Sequence, residues 1–330
     1  MDSTAPEVTI TYNDDNKDVK VHNGKYFNHK RSAKVSIKER NFNSENLGFT
    51  LTRDNKSVTY DSFEDLKTAV KDNEWKDCSI KEEIKDNQDG KTKETYDKER
   101  THTFKIEFGQ DKEDHDYTIS ITTTDLAGNS NSSVTDKNIG AETVATGKEF
   151  TVDMLAPTLT VQYYVYQDKN GNELDEEHKE SITEKINSGD CYKNASIHAE
   201  VIIDERNFSE EKNGKDSFVE NQMNLEYSAK TYDKSEVKTT NFSDIAKERE
   251  NWKPNQENRK DNIETLNLEF SEDANYTLSI TYKDLAGNSI SYASPKFTVD
   301  KTAPTGKIQI GKDEKDVGII GKVFDFIYSF

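Results

Sequence analysis

Carboxylates are the side chains this sequence supplies in excess: 64 Asp and Glu stand against 45 Lys and Arg, for a formal net charge of −19. Two sets of them occupy matching places in a repeated pattern. Asp2, Glu39 and Asp125 form the first set, and Asp153, Asp204, Glu205 and Asp284 form the second. Asp300 stands where another set would begin. Converging carboxylates repel one another unless they are spaced or neutralised. A Ca2+ ion takes six to eight oxygens in flexible geometry, so Ca2+ is the cofactor such sets fit. The competing reading is acidic loop ends that are simply solvated.

Other chemistry finds little material. YQDKNGNELDEEH, from Tyr166 to His178, offers Asp168, Asn170 and Asn172 in the manner of an EF-hand. The spacing fails, because Glu173 stands where glycine is needed and Lys179 where the closing Glu belongs. Asn170-Gly171 reads more simply as a hairpin turn that extends the first strand of its unit. The six histidines show no metal-ligand spacing, and H-E-x-x-H and G-x-S-x-G are absent. Cys78 and Cys191 fall at non-matching places and read as two isolated thiols. The chain therefore reads as non-catalytic. Its acidity argues against nucleic acid as a partner. No apolar run is long enough to enter a bilayer, and no signal peptide follows Met1.

The elements that position the carboxylates come from an internal repeat. YTISITTTDLAGNS from Tyr117 is written again as YTLSITYKDLAGNS from Tyr276. KERNF (38–42) matches DERNF (204–208), EWK at Trp75 matches NWK at Trp252, and FKIEF (104–108) matches LNLEF (266–270). Ala-Pro pairs end at Pro6, Pro157 and Pro304 and stiffen the junctions by fixing φ. The units are 1–153 and 154–300, with 301–330 as the start of a third. Its apolar tail, VGIIGKVFDFIYSF, is expected to be disordered or aggregation-prone.

Within each unit the apolar period is two, as in Ala33, Val35, Ile37 and in Tyr276, Leu278, Ile280, Tyr282. Such alternation means strands with one face on a core. One segment per unit departs from it. DSFEDLKTAVKDNEW has capping-box spacing at Asp61 and Glu64 and predicts a short helix before Trp75, and NFSDIAKERENW holds the same place before Trp252. The result is an all-β chain of tandem immunoglobulin-like sandwiches, each with a short helix between strands. In DLAGN, Gly128 and Gly287 supply positive φ, Asp125 and Asp284 accept backbone N–H groups, and Asn129 and Asn288 tolerate left-handed geometry. Arg40 and Arg206 are placed to pair with nearby carboxylates. Strand direction brings the incoming linker, the loop after ERNF and the DLAGN turn to one end, so each acidic set converges at a joint.

The order D-x-x-A-P, E-R-N-F, Y-T-[IL]-S-I-T-x-x-D-L-A-G-N, F-T-V-D-x-x-A-P resembles the bacterial immunoglobulin-like repeats of large Gram-positive surface and secreted proteins. The resemblance spans the whole chain. It implies an extracellular stalk or adhesin-like segment of a longer protein, acting as a spacer that presents a ligand-binding region. Its partners would be neighbouring repeats and a host protein or glycan. Tyr163, Tyr164 and Tyr166 are the aromatics such a ligand would meet. The alternative is a set of accessory or carbohydrate- or host-protein-binding modules of a larger secreted enzyme. Folds of this kind also suggest an intramolecular Lys–Asn isopeptide bond, for which the sequence singles out no pair.

Overall fold

The computed structural model describes residues 3–14, 25–40, 44–72, 74–83, 101–131, 134–136, 149–189, 191–193, 195–212, 214–230, 237–240, 246–254, 263–303 and 305–306. Two β-sandwiches follow one another along the chain. The first contains β1 (Glu7–Asp14), β2 (Tyr26–Phe27), β3 (Arg31–Lys38), β4 (Leu47–Arg53), β5 (Lys56–Tyr60), α1 (Phe63–Lys71), β6 (Cys78–Glu83), β7 (Thr101–Phe108), β8 (His115–Thr124), β9 (Ser130–Asn131), β10 (Val134–Asp136) and β11 (Phe150–Val152). The second begins with β12 (Thr158–Val165), β13 (Glu180–Ser181), α2 (Thr183–Asn187), β14 (Cys191–Lys193), β15 (Ile197–Asp204), β16 (Glu210–Lys212), β17 (Lys215–Ser217) and β18 (Met223–Lys230). It ends with β19 (Val237–Thr240), β20 (Lys253–Pro254), β21 (Ile263–Phe270), β22 (Ala274–Lys283), β23 (Ser289–Ala293) and β24 (Phe297–Asp300).

Sheet orders are β10-β1-β3-β7-β6 against β2-β11-β8-β4-β5, then β13-β12-β15-β21-β20 against β14-β24-β22-β18-β19. This is the immunoglobulin arrangement twice over, with strands A, B, E and D in one sheet and G, F and C in the other. The alternation read in the sequence is the observed burial. Val35, Ile37, Ile119 and Ile121 face one core, and Val201, Ile203, Leu278 and Ile280 face the other. β5 and β6 and their counterparts β19 and β20 complete the sheets. They carry too little alternation to stand out in the sequence.

The helix of the first sandwich begins one residue later than expected. Ser62, not Asp61, is the N-cap, and its hydroxyl accepts from the Asp65 N–H at 3.1 Å. The shift places Phe63, Leu66 and Ala69 in the core. In the second sandwich the matching segment is described from Ala246, where a 3-10 turn over Arg249–Asn251 precedes Trp252. Both tryptophans are buried. Trp252 Nε1 donates to the Ala246 carbonyl at 2.9 Å, and Trp75 Nε1 to the Tyr60 hydroxyl at 2.6 Å.

The tyrosines that enter β8 and β22 are both buried, yet they anchor differently. The Tyr276 hydroxyl donates to the Glu272 carbonyl at 2.9 Å, a corner tyrosine tied four residues upstream. The Tyr117 hydroxyl donates instead to Asp77 Oδ2 at 2.6 Å, and Asp77 also binds Arg53. Cys78, beside it, is a buried free thiol. Burial and the Asp77 charge push its pKa up. The Cys191 side chain, Phe42 and the 307–330 tail lie outside the described residues. Among the described residues no helix is long and apolar enough to cross a membrane.

Candidate metal centre at the joint

The joint is built by three pieces of chain. The linker leaves β11 at Val152 and enters β12 at Thr158. The Asp153 N–H donates to the Phe27 carbonyl at 2.8 Å, so the linker starts pinned to the first sandwich. Asp114 Oδ1 accepts from the Met154 and Leu155 N–H groups at 2.7 and 3.1 Å and holds the next two residues. From the second sandwich come the loop after β15, carrying Glu205 to Phe208, and the DLAGN turn after β22.

The DLAGN turn shows how the sequence makes a rigid platform. Asp284 Oδ1 accepts from the Asn288 N–H and Oδ2 from Asn288 Nδ2, both at 2.8 Å. The Asp284 N–H returns to the Asn288 carbonyl, and Gly287 sits at φ +95°. Asp125 and Asn129 make the same bonds around Gly128 at φ +86°. Asp168 and Asn172 make them a third time around Gly171 at φ +87°. The stretch that resembles an EF-hand is therefore a D-x-x-G-N turn. Its bridge between Gln167 and Glu173 confirms the hairpin. In DLAGN only the glycine takes positive φ. Asn129 and Asn288 act as side-chain donors and do not adopt left-handed backbone.

Asn288 does more than close its turn. Its Nδ2 also donates to the carbonyls of Asp153 and Leu155, at 3.0 and 3.1 Å, and fastens the linker to the second sandwich. Asn207 Nδ2 donates to Asp153 Oδ2 at 2.8 Å, and the Asn207 N–H donates to Glu205 Oε1 at 2.7 Å. Arg206 reaches across to Asp116 of the first sandwich and lies 3.5 Å from Asp54. The ERNF arginine is thus an inter-unit tie in the second unit, whereas Arg40 is exposed. The sequence did not single out Asn207 or Asp114, and it placed Asn288 in its turn without its hold on the linker. Asp114, eleven positions before the aspartate of its DLAGN, has a counterpart in Asp273, which holds the next linker through the Lys301 N–H and Thr302.

Asp153, Glu205 and Asp284 meet at the centre of this joint. One carboxylate oxygen from each lies within 4.8 Å of the other two. Their residues are 0%, 6% and 2% exposed. Asp204 does not join them. It ends β15 one residue earlier, and strand alternation turns it outward to solvent. In the first unit Glu39 and Asp125 are buried at the equivalent places, while Asp2 lies outside the described residues. The convergence expected of that set depends on Asp2 and so lies outside the described residues. The described trios are the joint and Asp111, Glu113 and His115, whose histidine already bridges Asp54 at 2.7 Å and Asp111 at 3.4 Å. Asp300 is exposed.

Burial sets the protonation of the joint. Burial, with the Asp284 and Asp114 charges beside it, pushes Asp153 up to about 8. Burial and the Asp153 charge push Glu205 up to about 9. Burial raises Asp284 to about 6, against the pull of its turn hydrogen bonds. Asp125 makes the same turn bonds, and they hold its carboxyl below the usual range. Asp153 Oδ1 is buried and has no hydrogen-bond partner. A buried acceptor left unpaired costs about 1–3 kcal/mol, more for a charged group. Three convergent carboxylates, with a buried unpartnered oxygen on Asp153, match what a Ca2+ ion recruits.

Tyr163, Tyr164 and Tyr166 separate by parity. Tyr163 is a core residue whose hydroxyl lies 3.2 Å from that of Tyr292, so it cannot meet a ligand. Tyr164 and Tyr166 lie on the outer face of the same strand and its extension.

No family model and no curated protein matches the chain. Among solved structures it is similar to the C-terminal domain of the Streptococcus agalactiae AgI/II polypeptide BspA. The identity is 10% and the TM-score 0.27, over 88% of this chain and 99% of that one. A BspA C-terminal mutant gives the same identity and TM-score over 90% of this chain. Dimeric latent PorU from Porphyromonas gingivalis matches at 11% identity and TM-score 0.24, over 91% of this chain and 24% of that one. Likeness at this level fixes neither family nor function.

Proposed function

We propose that the chain is a non-catalytic spacer segment of a bacterial surface or secreted protein, a row of immunoglobulin-like sandwiches whose joint is stiffened by Ca2+. The observation that carries this reading is the convergence of Asp153, Glu205 and Asp284 from linker, B–C loop and F–G turn. A cation held by all three ties the linker to both loops of the next sandwich. Asp153 is in turn pinned to the first sandwich through the Phe27 carbonyl. The rest of the ligand shell would be water and nearby carbonyl oxygen, as hard cations accept. A spacer needs a fixed angle between units more than it needs a cleft, and the sequence carries no catalytic constellation.

Small-angle scattering of the whole chain in Ca2+ and in chelator tests the mechanical part. Ca2+ should yield a single inter-unit arrangement, with chelator broadening the distance distribution. Identical curves would remove the cation from the account.

A further inference from the structure

We propose that the outer face of the β12-β15-β21 sheet binds a neutral carbohydrate of one or two rings, in a trough lined by Tyr164, Tyr166, His198, Glu200 and Asn267. This reading is independent of the joint. The trough has a volume of about 400 Å³. That is at the small end of ligand sites, which run from about 300 to 1,000 Å³, and it suits a sugar better than a folded partner.

The register builds it. Tyr164 stands opposite His198, and Glu200 opposite Asn267, on three adjacent strands. The Tyr166 and His198 rings meet at 84° with centroids 4.7 Å apart, so they form a corner and not a closed stack. A corner of rings offers an apolar wall to the C–H face of a pyranose, in the way aromatic side chains supply rigid apolar area. Glu200 can accept from sugar hydroxyls, and Asn267 can both donate and accept.

The framework does not require these side chains. At the places of His198, Glu200 and Asn267 the first unit carries Ser32, Lys34 and Lys105. The segment between Tyr166 and Glu180, longer than its counterpart, folds beside the trough and is pinned there. Lys179 Nζ lies 4.2 Å over the Tyr164 ring and pairs with both Glu176 and Glu200. Glu176, Glu200 and Glu269, which faces His198 across the strands, outnumber Lys179 and Lys301 and leave the rim acidic. An acidic rim on a chain of net charge −19 repels sialylated or sulfated sugars, so the ligand class is neutral.

The test is saturation-transfer NMR of the full chain with a panel of neutral and acidic oligosaccharides, backed by a glycan array. Neutral members should bind, and Tyr166→Ala or His198→Ala should weaken them by about tenfold or more. Tyr166→Phe keeps the ring and should retain binding, as should Asp153→Asn at the joint. Near-ultraviolet circular dichroism checks that each variant is folded. Any of three results overturns the proposal: no neutral sugar above the Tyr166→Ala background, binding that survives both alanine variants, or binding confined to acidic sugars or to a Lys-rich peptide.

Discussion

At the scale of single residues, the joint is governed by where buried carboxylates keep their protons. Asp153, Glu205 and Asp284 have folded pKa values of about 8, 9 and 6, all above those of unfolded carboxylates. The folded chain therefore binds more protons than the unfolded chain between about pH 4 and 9, and stability falls as pH rises through that window. Asp114 strengthens the trend for Asp153 and Glu205, and Arg206 opposes it for Asp153. In chelator, the melting temperature of the second sandwich should decline from pH 5 to pH 9. Ca2+ should flatten the decline by replacing the protons, and a pH-stat titration should record proton release on binding at pH 7. A melting temperature that climbs across this range in chelator would contradict the assignment. The sequence revealed Asp153, Glu205 and Asp284 because a repeat fixes which loops meet. It did not separate Asp204 from Glu205, because that choice depends on where β15 ends and on strand parity. The role of Asn207 and Asn288 was hidden for a related reason: an asparagine in a turn motif is read as backbone tolerance until its amide is seen reaching another segment.

At the scale of elements, two local devices hold the sandwiches in shape. The first is the D-x-x-G-N turn, used after β8, after β22 and in the long segment after β12. Gly128 lies at φ +86° with no atom within 4 Å of an added Cβ, so Gly128→Ala isolates the backbone penalty from crowding. The variant should lose about 1–2 kcal/mol in a denaturant titration. No loss would mean that the turn relaxes freely. The second device is Asp77, 0% exposed, which accepts from Tyr117 and binds Arg53 in the first sandwich alone. Asp77→Ala should destabilise that sandwich by about 3 kcal/mol, since it leaves a buried hydroxyl and a guanidinium without their acceptor. Asp77→Asn keeps acceptor oxygen and should cost less. Equal costs would show that the charge, not the hydrogen bond, matters. The strands with strong alternation were legible from the sequence. The edge strands β5, β6, β19 and β20 were not, since few apolar residues and short length leave no period to read. The corner tyrosine was legible as a position but not as a bond, because Asp77, far away in sequence, captures Tyr117.

At the scale of the whole molecule, the same turn behaves differently according to what lies on top of it. Leu285 and Ala286 of the second DLAGN are buried, whereas Leu126 of the first is 70% exposed. The second turn sits at the joint, with Asn28 of the first sandwich 3.8 Å from the Cβ position of Gly287. Around it the Arg206 contacts to Asp116 and Asp54 and an open polar crevice of about 980 Å³ complete a joint that is mostly hydrogen bonds and charges. A joint of that kind responds to ions more than an apolar interface does. The measurement that tests this most directly is the thermal melt of the chain in excess Ca2+ and in chelator, for wild type and Asp153→Asn. A bound ligand at about a hundredfold its Kd adds roughly 2.7 kcal/mol, which moves a domain of this size by several degrees. Wild type should melt higher in Ca2+ by that amount. Asp153→Asn should not respond to Ca2+, and in chelator at pH 9, where the Asp153 carboxyl has lost its proton, it should melt at or above wild type, because it removes a buried charge. Coincident wild-type melts, or a Ca2+ response that survives Asp153→Asn, would contradict a cation-clamped joint.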